Sequence, residues 1–294
     1  MTSTVFPART ALHEKHDAGL IDSLRRRALE IRIHVVKMVH TARSGHYGGS
    51  MSIADLLAVL YFHEMSIDPA NPQWQGRDRL VLSKGHAAPA LYAALALRGF
   101  FPVERLATLR RIDSILQGHP DMRKTPGVDY TTGSLGHGLG VAVGMALGSK
   151  LNRQGFRVYA IVGDGEMQEG SIWEAAMAAP RFGLDNLTVI VDYNGLQVEG
   201  RVDEIMPIEP IVSKWAAFGW EVREIDGHSV PEILEALDWA KQLRGKPGLI
   251  VAHTIKGKGV SFMENQVNWH KGSLDDATFP RALEELEAQF TLGR

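Results

Sequence analysis

Residues 156–195 read FRVYAIVGDGEMQEGSIWEAAMAAPRFGLDNLTVIVDYNG, and this stretch decides the fold that we predict for the chain. It begins with a short apolar run, continues through an amphipathic segment and ends in a second apolar run, which is the pattern of a β-α-β unit. The same alternation then continues with a helix around 211–218, strand EVREID, helix PEILEALDWAKQL and strand LIVAHTI. Apolar runs buried on both faces and joined by helices are typical of parallel sheets. We therefore predict an α/β fold with a doubly wound, mainly parallel sheet flanked by helices.

Helical periodicity dominates the part of the chain before this stretch. Apolar residues recur every three or four positions from Asp17 to about Thr41 and predict one long helix with a single buried stripe, formed by Leu24, Ala28, Ile31, Val35 and Met38. Further helices are predicted from Ile53 to Met65 behind Ser52 as N-cap, and from Pro89 to Arg98.

The glycine-rich stretch 136–151 also has a helical pattern, and we expect it to lie deep in the domain because its small residues let another backbone approach closely. No repeat or linker divides the chain. We expect residues 1–294 to form a single domain, with an N-terminal helical segment and a peripheral C-terminal helix after Gly272.

Composition excludes several classes of function. The 294 residues contain no cysteine, so disulfides, thiolate metal sites and cysteine nucleophiles are excluded. The net charge is -2, and the short basic clusters at 25–27 and 110–111 are interpreted as solvated faces and not as a nucleic-acid surface. No signal pattern or membrane-length apolar run is present, and we expect a cytoplasmic protein.

Polar residues follow two neighbouring strands of the predicted sheet, at the point where each strand ends. Asp164 lies between Gly163 and Gly165 after the first strand, and Asn194 precedes Gly195 after the second. Ligands of such sheets bind at the carboxyl ends of the strands, and the following helix directs its N-terminal amides there, which favours a phosphate. One carboxylate and one amide oxygen form an incomplete shell for a hard divalent cation such as Mg²⁺. We expect diphosphate oxygens, a water and a main-chain carbonyl to complete it.

Two tight turns without any metal are the alternative interpretation, since short glycine motifs recur by chance. The whole β-α-β unit between Asp164 and Asn194 favours a functional site. Neither G-x-x-x-x-G-K-[ST] nor a G-x-G-x-x-G that opens a helix after a strand is present, so nucleotide hydrolysis and dinucleotide binding lose their main support.

The stretch from GDG to Asn194 resembles the thiamine-diphosphate signature of the transketolase family. Other stretches that resemble the family lie in order along nearly the whole chain: TARSGHYGGSMS, DRLVLSKGHAAPALYAAL, QGHPD, TTGSLGHGLGVAVGMA, IDGHS and HTIKGKGVSFMENQVNWH. The resemblance implies a thiamine-diphosphate-binding fold of the diphosphate type and an enzyme that binds thiamine diphosphate with Mg²⁺, or with Ca²⁺ or Mn²⁺ in its place.

The resemblance also implies roles for particular residues. Asp164, Asn194 and the carbonyl of Leu196 would hold the metal, and Gly163 and Gly165 would approach the diphosphate through their backbone. The expected contacts of the cofactor further include the loop residues Gly133, Leu135 and Gly136, and Glu169, which matches a glutamate at the contact between subunits.

Four of the twelve histidines match the family in glycine-rich or loop-like contexts. His46 and His119 resemble histidines that face the hydroxyls of the sugar, whereas His86 and His270 resemble those that contact the diphosphate or line the thiazolium. We expect His46, His119 and His270 to act in catalysis, and His86 and His270 to bind the cofactor. The other histidines in predicted helices and strands, which are His13, His16, His34, His40, His63 and His253, are interpreted as packing or solvated residues.

Half of the family's cofactor pocket lies on a pyrimidine-binding domain, which also supplies a catalytic glutamate, the aromatic stack and most of the arginines that bind substrate phosphate. The assigned elements use the chain nearly to residue 275 and leave no room for that domain. We therefore expect a partner chain, a C-terminal transketolase subunit that carries the pyrimidine-binding domain, and a two-plus-two heterotetramer in which this chain also contacts itself.

The activity implied by the resemblance is that of a transferase of pentose phosphate metabolism. It would move a two-carbon ketol group from a ketose, expected to be phosphorylated, to an aldose. Two alternatives stay open at this point. The chain could serve another thiamine-dependent enzyme, such as a 2-oxo acid decarboxylase component or a deoxyxylulose-phosphate-type synthase, or it could be a non-catalytic cofactor-binding subunit.

Overall fold

Five parallel strands form one sheet in the computed structural model, which describes residues 16–272 and 274–292. The strands are β1 (Arg79–Leu82), β2 (Val158–Gly163), β3 (Leu187–Tyr193), β4 (Glu221–Asp226) and β5 (Gly248–His253). Their order in the sheet is β1-β2-β3-β5-β4, and every neighbouring pair is parallel. The predicted α/β fold with a parallel, helix-flanked sheet is therefore confirmed. The residues before His16, including His13, lie outside the described residues.

Helices cover both faces of this sheet. They are α1 (Ala18–Ala42), α2 (Gly48–Met51), α3 (Ala54–Val59), α4 (Ala88–Arg98), α5 (His137–Leu151), α6 (Gly170–Arg181), α7 (Val202–Ile205), α8 (Ile211–Ala217), α9 (Val230–Gln242) and α10 (Thr278–Leu292). Single 3-10 turns follow β1 and β2, at Gly85–Ala87 and Gly165–Gln168.

Side chains of the central strands alternate between two cores, because successive residues of a strand point to opposite faces. On β2, Tyr159 and Ile161 pack with α1, α3, α4 and α9, whereas Val158, Ala160 and Val162 pack with α5, α6 and α8. The central strands are thereby buried on both faces, which explains their continuous apolar sequences.

Two of the predicted helices begin and end as expected. The N-cap of α1 is Asp17, whose carboxylate accepts a hydrogen bond from the Leu20 amide at 3.2 Å. The last residue of α4 is Arg98, and Gly99 follows with a φ of 97°, the left-handed conformation that glycine adopts at helix ends. At the other end of the chain, α10 packs on α1, where His40 stacks on Phe279 with ring centroids 3.9 Å apart.

The predicted helix from Ile53 to Met65 is wrong in detail. Regular α-helix ends at Val59, and the wider turn of a π-helix follows over Leu60–Glu64. Ser52 is not an N-cap: it is fully buried, and its hydroxyl donates to Asp192 at 2.9 Å. The reason is tertiary, since a buried carboxylate below the helix competes with the helix terminus for this hydroxyl.

The expectation that 136–151 lies deep in the domain is also wrong. Only one face of α5 is buried, through Leu139, Ala142 and Ala146, while Gly140 and Gly144 are exposed. The helix covers one side of the sheet, and its small residues on the other side meet no other part of the described chain.

Candidate active site

Parallel strands β2 and β3 place Asp164 and Asn194 at the same edge of the sheet. Gly163 pairs with Asp192 at the ends of the two strands, so the residues that follow leave the sheet side by side. The Asp164 carboxylate accepts a hydrogen bond from the Gly165 amide at 2.7 Å and another from the Gly195 amide at 2.5 Å. Asp164 and Asn194, the two residues singled out in the sequence, therefore follow adjacent strands and lie next to each other.

Three oxygen atoms that could bind a hard metal ion lie at this edge of the sheet, on Asp164, Asn194 and Leu196. The Asn194 side-chain oxygen accepts from the Leu196 amide at 3.2 Å, and the Leu196 carbonyl accepts from the Lys256 ammonium at 2.8 Å. A carboxylate, an amide oxygen and a main-chain carbonyl are the donor types that Mg²⁺ or Ca²⁺ prefers. The residues present thus fit a divalent cation, whose remaining ligands would come from a bound diphosphate. In the described residues, no three His, Asp or Glu side chains form a metal site by themselves.

Electrostatics at Asp164 also favour a cation. The carboxyl group is buried, and burial together with the negative charge of Asp192 raises its pKa to about 6. A divalent cation placed against this carboxylate would compensate both effects.

Sequence reasoning missed the charged group below this site. Asp192 is fully buried and accepts hydrogen bonds from four side chains: Lys84, Thr254, Ser52 and Asn194, the last two at 2.9 and 2.8 Å. Burial alone would raise the pKa of Asp192, but the adjacent Lys84 ammonium and these hydrogen bonds hold it below the usual value. Both Lys84 and Lys256 are buried, which is rare for lysine, and burial together with the charge of Lys84 lowers the pKa of Lys256 to about 8.

The four histidines singled out in the sequence form one cluster. The ring centroid of His46 lies 5.3 Å from that of His86, 5.5 Å from His270 and 6.4 Å from His119, and His86 lies 5.1 Å from His270. Exposure increases across the cluster, from buried His270 through half-buried His46 and His86 to exposed His119. The sequence separates these residues by up to 224 positions, so only the fold brings them together.

Burial is the largest cause that lowers the pKa of all four histidines. The pKa of His46 is lowered to about 4, with the charge of Arg110 as the next cause, and that of His270 to about 3, with Lys256 as the next cause. The pKa of His86 lies well below its ordinary value and that of His119 is lowered too. Neutral imidazoles can both donate and accept hydrogen bonds. The Nδ1 atoms of His46 and His270 are buried without a hydrogen-bond partner in the described chain, and so are available to a ligand.

The glycine-rich loop before α5 passes beside this cluster. A Cβ atom on Gly133 would lie 3.3 Å from the His119 ring, and one on Gly136, whose φ is 84°, would lie 2.7 Å from the Cβ of Glu169. Leu135 and Glu169 are both exposed. The loop therefore runs from the His119 ring to the start of α6, and a side chain at Gly136 would collide with Glu169.

Glu166 fixes this loop, a role that sequence reasoning did not find. Its buried carboxylate accepts hydrogen bonds from the Gly136 amide at 2.9 Å, the Gly163 amide at 3.0 Å and the Ser83 hydroxyl. It thus ties together the ends of β1 and β2 and the start of α5. Only its place directly after GDG could have drawn attention to it.

Comparison with known proteins gives a consistent result. The model of the family described as "Transketolase, thiamine diphosphate binding domain" matches residues 24–288. The chain is 50% identical over 266 residues to the 6-deoxy-6-sulfo-D-fructose transketolase subunit of Clostridium sp. (strain MSTE9), covering 90% of this chain and 97% of that protein. It is 41% identical to an apulose-4-phosphate transketolase subunit of Phocaeicola vulgatus, covering 90% and 94%.

Solved structures extend the same likeness to longer chains. The crystal structure of transketolase from Campylobacter jejuni superposes with a TM-score of 0.85 at 34% identity, covering 92% of this chain but only 43% of that one. The chain thus spans less than half the length of that relative. None of the described helices is long and apolar enough to cross a membrane.

Proposed function

The chain belongs to the transketolase family, and from that premise we propose that it is the amino-terminal subunit of a split transketolase. Its length carries the proposal: it matches nearly the whole of two relatives that are named as transketolase subunits, and less than half of a full-length transketolase. The thiamine diphosphate binding domain accounts for residues 24–288. A partner subunit with the pyrimidine-binding domain would supply the other half of the active site.

We propose transfer of a two-carbon ketol group from a ketose to an aldose as the reaction. Thiamine diphosphate, when bound, supplies the carbon nucleophile that adds to the ketose carbonyl and stabilises the resulting carbanion. Asp164, Asn194 and the Leu196 carbonyl would hold the divalent metal against its diphosphate, with the backbone of Gly163 and Gly165 close to the phosphates. Lys84 and Lys256 add two buried positive charges beside these residues.

The histidine cluster would act on the sugar. His46 and His119 would hydrogen-bond its hydroxyls, while His86 and His270 would line the reacting end of the cofactor. Because burial lowers the pKa values of His46 and His270 to about 4 and about 3, both rings are neutral at neutral pH, and each can donate one hydrogen bond and accept another. A neutral ring also costs less to bury beside the cofactor's own positive thiazolium than an imidazolium would.

The names of the relatives suggest the kind of sugar. One acts on 6-deoxy-6-sulfo-D-fructose and another on apulose 4-phosphate, and both of these sugars carry an anionic group at the end away from the ketol carbons. We propose that the donor of this enzyme is likewise a ketose with a terminal anion.

Mixing experiments test this function. The purified chain alone should show no ketol transfer, because half of the cofactor pocket is on the partner, and activity should arise on mixing with a chain that carries the pyrimidine-binding domain. A coupled assay with each chain alone and with both together, in thiamine diphosphate and Mg²⁺, would measure this. Robust turnover by the isolated chain would contradict the proposal, as would a product from pyruvate in place of ketol transfer.

A further inference from the structure

A half-buried histidine in the turn after β4 contacts two other parts of the fold. His228 belongs to IDGHS, one of the stretches that resemble the family. Its Nδ1 atom lies 2.7 Å from a carboxylate oxygen of Asp55, and its Nε2 atom accepts a hydrogen bond from the Ile255 amide at 2.8 Å. The imidazole therefore connects α3 to the loop that follows β5.

These two hydrogen bonds fix the form of the imidazole. A backbone amide can only donate, so the Nε2 atom of His228 carries no proton, and the proton of the neutral ring is on Nδ1, which donates to Asp55. Asp55 is buried and also pairs with the guanidinium group of Arg32 on α1. Burial alone would raise the pKa of Asp55, but Arg32 and the hydrogen bonds from both partners lower it to about 2. An ionised carboxylate thus holds the imidazole in one orientation.

The loop after β5 carries two groups that reach the candidate metal site. Thr254 donates to the Asp192 carboxylate, and the Lys256 ammonium donates to the Leu196 carbonyl at 2.8 Å. Ile255 lies between these two residues, and in the described part of the chain its amide has no acceptor other than the imidazole. One hydrogen bond therefore holds the middle of a three-residue segment whose two ends contact the site.

The turn before His228 fits closely against this loop. A Cβ atom on Gly227 would lie 2.5 Å from the Cγ2 atom of Thr254, and the Gly227 amide donates to the His253 carbonyl at 2.8 Å. The His228 amide donates to the Asp226 carboxylate at 2.9 Å. Because there is no free space between the turn and the loop, the position of the imidazole and that of the loop depend on each other.

We propose that His228 is a positioning residue for the cofactor site, which holds the loop after β5 where Thr254 and Lys256 meet their partners. The inference rests on the proposed function, because it assumes that the Leu196 carbonyl and its neighbours bind the metal and the diphosphate. His228 acts through the Ile255 amide and does not touch the cofactor. Removal of groups that orient metal ligands commonly lowers metal affinity by about 10- to 100-fold.

Two substitutions separate the two hydrogen bonds of His228. In His228→Gln, the side-chain oxygen can take the place of Nε2 and accept from the Ile255 amide. In His228→Asn, the shorter side chain can take the place of Nδ1 and donate to Asp55, but it does not reach the Ile255 amide. We expect His228→Asn to weaken thiamine diphosphate binding by about 10-fold or more and His228→Gln to retain most of the affinity. Calorimetric titration of the complex with the partner chain, in Mg²⁺, measures this.

Hydrogen exchange gives a second readout that does not require the cofactor. Before cofactor is added, the peptide that contains Ile255 should exchange faster in His228→Asn than in His228→Gln or the wild type. Urea midpoints should fall by similar amounts in both variants, since each loses one hydrogen bond of the imidazole. His63→Asn, at an exposed histidine, is the matched control and should change none of the three measurements.

The pattern of results decides between positioning and simple stabilisation. Equal losses of cofactor affinity in both variants, in step with their urea midpoints, would overturn the inference, and His228 would then only stabilise the fold. Unchanged affinity in His228→Asn would also overturn it. A wild-type complex that binds no thiamine diphosphate would contradict the proposed function, whereas the exchange experiment would still show whether His228 holds the loop.

Discussion

Single residues of the histidine cluster differ in how far they are buried. His119 is exposed and His46 is half-buried, whereas His270 is buried. A substrate that enters from solvent meets the outer rings first, and a cofactor that spans the pocket lies against the inner ones. Depth separates His119 from His270, but His46 and His86 are both half-buried, so the sugar role of His46 stays a prediction taken from the resemblance.

Substitution of the outer histidines should separate catalysis from cofactor binding. We expect His46→Ala and His119→Ala to raise KM or lower kcat by about 10-fold or more, while thiamine diphosphate affinity stays nearly unchanged. Steady-state kinetics of the complex and calorimetric titration with the cofactor give the two readouts. His63→Ala removes an exposed histidine outside the cluster and serves as control. Loss of cofactor binding in both variants would show that these residues belong to the cofactor site.

Cofactor affinity should instead depend on Asp164. We expect Asp164→Ala to abolish binding of thiamine diphosphate, because the metal that neutralises the diphosphate loses its carboxylate ligand. Asp164→Asn retains an oxygen acceptor for the Gly165 or Gly195 amide and separates loss of metal from loss of structure. Calorimetry with the partner present, with and without chelator, measures this; unchanged affinity, or no effect of the chelator, would contradict the assignment of the site.

Burial of the histidines should also make stability depend on pH. The folded-state pKa of His46 is about 4 and that of His270 about 3, both below the ordinary 6.5, so the unfolded chain binds protons that the folded chain does not. The contribution of these two histidines should be complete above pH 6.5 and should be lost as the pH drops from 6.5 towards 4, while the raised pKa of Asp164 acts in the opposite direction below about pH 6. Urea midpoints across this range measure it, and His46→Asn should flatten the slope. An identical slope in this variant would mean that other groups control acid unfolding.

The sequence indicated some residues of the site and not others for a physical reason. Asp164, Asn194 and the four histidines occur in turns and glycine-rich loops, where a polar residue stands out. Lys84, Lys256 and Asp192 carry the same chemistry, but their importance comes from burial. The sequence alone does not distinguish a buried lysine from a solvated one, and only the fold shows that Lys84 and Lys256 are buried.

Helices and strands were predictable from the sequence where a regular apolar pattern extends over many residues. Helix α1 and strands β2, β3 and β5 follow from apolar patterns alone, because each buries a regular stripe or run of side chains. Strand β4 was predicted from its place in the β-α-β alternation, since only Ile225 of it is buried. Strand β1 has only four residues, and we interpreted its sequence only as part of a motif. The π-turn after α3 depends on tertiary packing and leaves no periodic signal of its own.

Connections between elements depend on Glu166, and this dependence is measurable. Glu166→Ala would leave two buried amides and one hydroxyl without an acceptor, at about 1–3 kcal/mol for each group. We expect the free energy of unfolding to fall by about 3 kcal/mol or more, with faster hydrogen exchange at Gly136 and Gly163. Urea denaturation and exchange mass spectrometry provide the measurements. Glu174→Ala, at an exposed position of α6, is the control, and a similar small effect in both variants would show that Glu166 is dispensable.

At the scale of the whole molecule, one face of α5 is not packed against any other part of the described chain. Along α5, the glycines at 140, 144 and 148 share one face, and no atom lies within 4 Å of where their Cβ atoms would be. Exposed apolar side chains occur on the neighbouring segments: Leu135 lies just before α5, and Met177 and Phe182 lie on and directly after α6, which packs on α5. Bare backbone beside exposed apolar side chains is a surface on which another helix can pack closely.

A second copy of this chain is the occupant that we expect, because two-fold pairing is the commonest way to cover such a face and the resemblance puts Glu169, at the start of α6, at a subunit contact. The chain of 32.4 kDa should then sediment as a pair, and as a two-plus-two heterotetramer with its partner.

Gly144→Lys tests the contact without harming the monomer: space for the side chain is open, and lysine favours a helix by about 0.5–1 kcal/mol over glycine. We expect this variant to be at least as stable as the wild type yet shifted towards single copies. Trp74→Lys, at an exposed apolar residue outside α5 and α6, should leave the assembly intact. If Gly144→Lys pairs as the wild type does, the α5 surface is not the contact between copies, and the partner subunit becomes the remaining candidate to cover it.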